Sequence, residues 1–134
     1  MSVSRGKTIV ACVVKDGKTS KFSSNLSIDE IKFDQDLIEF GDIYVRKSEI
    51  SMLDIEHGNT ISDSDNQSYP VAITFTSGKT SMVKILDKEK FISTIRTYTY
   101  VNNDSNNKFY IFQTDRGIIY INIKDIAVID FVNI

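Results

Sequence analysis

Two stretches of this chain carry one signature, and that echo constrains the fold more than any other feature. Gly41-Asp42-Ile43-Tyr44-Val45 leads into Glu49-Ile50-Ser51-Met52-Leu53-Asp54-Ile55, and Gly117-Ile118-Ile119-Tyr120-Ile121 into Asp125-Ile126-Ala127-Val128-Ile129-Asp130-Phe131. A second echo links Val10-Ala11-Cys12-Val13-Val14, with its turn Asp16-Gly17-Lys18-Thr19-Ser20, to Val71-Ala72-Ile73-Thr74-Phe75 and Ser77-Gly78-Lys79-Thr80-Ser81. The offset is 76 residues for the first echo and 61 for the second, and the difference of 15 is about one helix. Two echoes in the same order, separated by a helix-sized insertion, predict tandem β repeats over 10–56 and 71–132. The competing explanation is that ordinary hairpins converge on turn-favouring residues.

Local signals agree with a β-rich chain. The β-branched run Thr8 to Val14 and the return from Thr19 to Ser23 flank an Asp-Gly pair, a strong hairpin signal because glycine adopts the positive φ of tight turns. Ser77-Gly78 repeats the device between 71–76 and 80–86. A short helical turn at 27–32 and an extended segment precede strands at 42–46 and 49–56. The polar stretch His57 to Tyr69, closed by Pro70, reads as a surface linker. One helix is predicted at 87–98: Asp87 caps it, Glu89 sits in the first turn, and Phe91, Ile92, Ile95 and Tyr98 form an apolar stripe. A short strand at 99–101, a polar loop at 102–107 and strands at 108–114, 118–123 and 125–132 follow, with Asp115-Arg116-Gly117 as a turn.

These elements define a single α+β domain over 1–134, dominated by β structure. The short connections favour an antiparallel roll or small barrel of about eight strands, with the internal helix (87–98) capping one end and both repeats wrapping a shared apolar centre. A chain of 134 residues with 41% hydrophobic content builds such a core without staples. Its last strand ends on Phe131-Val132-Asn133-Ile134, an apolar edge that invites strand addition and hence a homodimer.

Charge and composition exclude several function classes. A net charge of −2 and only four arginines argue against nucleic acid as a partner, because phosphate affinity comes from clustered Lys and Arg. The lone Cys12 precludes an internal disulfide and fits a reducing compartment. No run approaches the roughly 18 apolar residues of a membrane span, and no signal-peptide core is present, so the expected location is cytoplasmic.

The chemistry-bearing motifs are sparse. Gly-Lys-Thr occurs at 6–8, 17–19 and 78–80, but a phosphate loop needs a further glycine five residues earlier, where Met1, Cys12 and Ile73 stand. His57 is the only histidine, so no site can be built around a second one. The cysteine–imidazole dyad open to the chain is Cys12 with His57, against which Cys12 reads as a small core residue and His57 as solvent-exposed. Asp63-Ser64-Asp65-Asn66-Gln67 resembles a calcium loop but has Ser68 where glycine is required and Thr74 where glutamate is. The repeat makes Asp54 equivalent to Asp130, and Glu49 to Asp125; a convergence of Asp54 with Asp130 would raise one pKa and create an acid–base pair. Among the six tyrosines, mid-strand Tyr44 and Tyr120 are expected in the core, and Tyr98 and Tyr100 on a contact surface.

The resulting expectation is a non-catalytic binding module that occupies a partner protein, of the inhibitor, immunity or mobile-element accessory type, with no cofactor. The alternative is a small-ligand or nucleotide binder with its pocket between the repeats or at a subunit interface, using Arg46, Arg116, Lys79 and the tyrosines. A third reading is a hydrolase using Asp54 and Asp130.

Overall fold

The β-branched runs become antiparallel strands, and glycine sets the turns between them. In the computed structural model, which describes residues 7–57, 67–101 and 108–132, β1 (Thr8–Val14) returns as β2 (Thr19–Ser24) through Gly17 at φ 93°. β6 (Tyr69–Phe75) returns as β7 (Thr80–Ile85) through Gly78 at φ 95°. The remaining strands are β3 (Leu37–Phe40), β4 (Ile43–Arg46), β5 (Ile50–His57), β8 (Phe109–Gln113), β9 (Gly117–Asn122) and β10 (Ile126–Phe131). Single 3-10 turns at Ile28–Glu30, Lys47–Glu49 and Ile123–Asp125 link them.

The helix α1 (Lys88–Val101) starts as predicted, with the Asp87 carboxylate accepting from the Lys90 backbone N–H at 3.0 Å. It runs further than predicted: the segment 99–101, expected as a strand, continues the helix. Phe91 is fully buried, and Ile92 and Ile95 pack beside it.

All strand pairs are antiparallel, but they form three sheets and no closed barrel. The orders are β2-β1-β5-β9-β8, β10-β6-β7 and the hairpin β3-β4. The expected roll or barrel of about eight strands is therefore replaced, among the described residues, by ten strands whose β4 and β10 edges stay open. There is also no single apolar centre. Alternation along a strand sends neighbours to opposite faces, so the five-stranded sheet separates two cores. On one face Met52, Ile119 and Ile121 pack with Val71, Ile73 and Phe75 of β6 and with Phe91 of α1. On the other, Val10, Leu53, Ile55, Ile118 and Tyr120 pack with Ile31, and with Ile38 and Phe40 of β3.

The registers of β1 with β2 and β5 match those of β6 with β7 and β10. Val10 lies opposite Phe22, and Val71 opposite Val83, a shift of 61 on both strands. Ala11 lies opposite Asp54, and Ala72 opposite Asp130, a shift of 61 on one strand and 76 on the other. Both of these latter pairs skip a residue at the corresponding place, Ser51 and Ala127.

Candidate functional site: an acidic cleft between β5 and β7

Two alternate residues of β5, Asp54 and Glu56, point to one face of the strand because the side-chain period is two. Opposite them, β7 contributes Met82, Val83 and Lys84, and the turn between β8 and β9 contributes Thr114, Asp115 and Arg116. Together with Pro70 these residues line an open cleft of about 270 Å³. The turn is held from both sides. Its Asp115 N–H donates to the Lys84 carbonyl at 3.0 Å, and its Arg116 carbonyl accepts from the His57 N–H at 2.9 Å. The turn closes on itself, with the Gly117 N–H donating to Thr114 Oγ1 at 3.1 Å.

The cleft's charges do not balance. Arg116 pairs with Glu56 at 3.3 Å, and Asp54 makes no such pair among the described ion pairs. Burial pushes the Asp54 carboxyl up to about 6, and the Glu56 and Asp115 carboxylates push the same way against Lys21 and Arg116. A carboxylate whose ionised form is disfavoured by burial and like charge is stabilised by an incoming cation. That is the chemistry this arrangement offers.

The residues predicted as functional are mostly dispersed. Asp54 and Arg116 share the cleft. Asp130 sits exposed on β10 opposite Ala72, and the charges acting on Asp54 are those of the four residues just named. Arg46 ends β4 in an exposed position, and Lys79 lies in the β6–β7 turn. Tyr98, expected on the surface, is buried, its ring edge-on to Tyr110. Tyr44, expected in the core, is exposed because it lies opposite exposed Glu39 on the outer face of the β3–β4 hairpin, whose other face carries buried Ile38 and Phe40. Tyr120 is buried between the rings of Phe33 and Phe109. The Tyr100 side chain, the loop 102–107, most of the 57–69 linker and residues 63–66 of the calcium-like segment lie outside the described residues.

The small motifs resolve into structure. The second and third Gly-Lys-Thr triplets are hairpin turns entering strands. Cys12 is buried, its thiol raised to about 11 by burial. It lies opposite Leu53 while His57 lies opposite Thr8, four rungs along β1, or about 13 Å at the strand rise. The dyad is not formed. Among the described residues no group of His, Cys, Asp and Glu could hold a metal ion, and no helix is long and apolar enough to cross a membrane.

Sequence reasoning missed Glu56, Met82, Lys84 and Asp115. The Asp54-x-Glu56 spacing was readable as two carboxylates on one face, but Asp115 and Arg116 reach them only through the β5–β9 pairing. A second cleft, about 330 Å³, is lined by Asp36, Lys47, Lys108 and the rings of Phe109 and Tyr120. No family model, curated protein or solved structure matches the chain.

Proposed function

We propose that this chain is a non-catalytic binding module that acts by occupying a partner protein, in the manner of inhibitors, immunity proteins and mobile-element accessory proteins. Its cleft between β5 and β7 receives a lysine or arginine side chain of that partner. The observation that carries this reading is the half-buried Asp54 carboxylate, which has no ion pair among those described, is flanked by Glu56 and Asp115 and is rimmed by exposed Met82. An apolar rim around a charged recess suits a protein contact, where exposed apolar groups exclude water from a central polar pair.

We also read 10–56 and 71–132 as two copies of one β unit. The shared pairing registers and the shared skipped residue support this, since convergent hairpins have no reason to place an irregularity at the same rung. A lone buried thiol fits a reducing, cytoplasmic setting.

The test is affinity capture from the native host, followed by titration of the captured protein against wild type and an Asp54→Lys, Met82→Glu variant. The reading requires at least a roughly tenfold loss of affinity in the variant, and weakening with salt as screening reduces the charge term. A partner that binds both forms equally would sink it.

A nucleotide-binding reading is favoured by a different place. Lys47 and Lys108 line the second cleft beside half-buried Phe109, a combination of cations and an aromatic edge that suits a phosphate and a base. Stabilisation by one nucleotide in a thermal-shift panel, lost in Lys47→Ala, would favour it over the first. The hydrolase reading needs Asp54 and Asp130 to act together; an activity that survives changing both to Asn removes it.

A further inference from the structure

Among the described residues, β4 is bordered only by β3, and β10 only by β6. Their counterparts at an offset of 76, β9 and β5, are paired to each other. The side chains differ accordingly. Tyr120, Ile119 and Met52 are 4%, 0% and 1% exposed, whereas the corresponding Tyr44, Ile43 and Val128 are 58%, 38% and 53% exposed. Matching apolar residues at matching strand positions are buried in the β5–β9 junction and exposed on β4 and β10.

From this mismatch we infer that the chain self-associates, β4 of one copy adding antiparallel to β10 of a second copy in the register that β9 takes on β5. Inside the chain, Met52 lies opposite Ile121, Leu53 opposite Tyr120 and Asp54 opposite Ile119. Shifted by 76, these become Val128 opposite Val45, Ile129 opposite Tyr44 and Asp130 opposite Ile43. The occupant is a second copy because one chain cannot satisfy both edges. Val45 packs on one core and Ile129 and Phe131 on the other, and the five-stranded sheet stands between them. The junction is head-to-tail, so each copy offers one β4 and one β10, and the assembly is a dimer or ring where the rotation closes and an open filament where it does not. The inference uses the register correspondence and is independent of what the cleft binds.

The full chain tests it by light scattering at high micromolar concentration, where an oligomer is expected. Val128→Lys and Ile43→Lys place a charge on an edge strand at positions exposed in the single chain, so each should melt like wild type in dilute solution, where wild type is a single chain, while association weakens at least about tenfold. Met82→Lys, exposed on β7 away from both edges, should remain oligomeric. For the register, a chain with Val45→Cys is mixed with one carrying Val128→Cys under mild oxidation. Directly opposite residues bring their Cβ atoms to roughly 5 Å, so a mixed disulfide dimer should dominate over either self-linked species. A monomeric wild type, lysine variants that still associate, or self-linked dimers in place of the mixed one would each overturn the inference.

Discussion

Lys15 and Asp125 are 110 residues apart in sequence and joined by a 2.8 Å ion pair, Nζ to Oδ2. The same carboxylate accepts from Ser51 Oγ at 2.9 Å and Asn122 Nδ2 at 3.2 Å. Ser51 is the residue skipped in the β1–β5 pairing, and a bulge re-aims its side chain, here towards Asp125. Asp125 therefore ties the first hairpin, β5 and the turn before β10 into one network. Asp125→Ala removes the acceptor shared by Ser51, Asn122 and Lys15, so we expect a loss of about 2–4 kcal/mol in urea unfolding. Lys15→Met leaves the other two donors in place and should be milder, about 1 kcal/mol. Equal losses in the two variants would show that the ion pair, and not the network, dominates.

Among the described residues, Gly117 is the one glycine whose side-chain space is filled by backbone. A Cβ there would run into the Ile55 carbonyl oxygen and lie 3.1 Å from Glu56 Cα. Gly117→Ala must push β9 away from β5, the pair that joins the halves, and is expected to lose about 3 kcal/mol or more. Gly78 has open space around it but φ 95°, so Gly78→Ala is strained only by its backbone and should lose about 1–2 kcal/mol. Thermal melts of the two variants rank them.

Asp54 makes stability depend on pH in an unusual direction. Its ordinary pKa of 3.8 rises to about 6 in the fold, so between about pH 4 and pH 6 the folded chain holds a proton that the unfolded chain has released. By linkage, this group's contribution favours the fold below that window and is lost as pH rises through it. After solvent screening the penalty at neutral pH is about 1 kcal/mol. Asp54→Asn should flatten the slope and raise stability at pH 7 by that amount. Unfolding curves at pH 4, 5, 6 and 7 check both, and an unchanged slope in the variant would assign the titration elsewhere.

The turn glycines, the Asp87 cap and the strand alternation were legible because each is a local property: positive φ at Gly17 and Gly78, one capping carboxylate, a period of two. Burial of the tyrosines was not. Tyr44 and Tyr120 have nearly the same neighbours in sequence, and what separates them is what covers their face of the sheet, the rings of Phe33 and Phe109 for Tyr120 and solvent for Tyr44. The helix outran its prediction because Thr99-Tyr100-Val101 has strand-forming residues, whose weak propensity an established helix overrides. The acidic cleft was half legible, since Asp54 and Glu56 share a face by spacing while Asp115 arrives by tertiary pairing. Two cores in place of one follows from sheet order, which local pattern does not encode.

Cys12 gives a site-specific probe of the β1 strand. Its thiol is buried in the core under the β3–β4 hairpin and its pKa is raised to about 11 by that burial. The thiolate is the reactive form, so at pH 8 a thiol with pKa near 11 is ionised at about one part in a thousand, against roughly a quarter for an ordinary cysteine. Burial adds a steric block to this. Labelling by a thiol reagent should therefore be at least about a hundredfold slower in the native chain than in denaturant. Substitutions that loosen the packing above it, such as Phe40→Ala, should speed labelling, because Phe40 is fully buried in the same core and stacks edge-on with Phe22, the residue opposite Val10 in the β1–β2 pair. Ala at Tyr44, exposed on the outer strand of that hairpin, should leave the rate unchanged. Rapid labelling of the native chain would mean that the hairpin opens often enough to expose β1, and the core described on that face would not be the resting state.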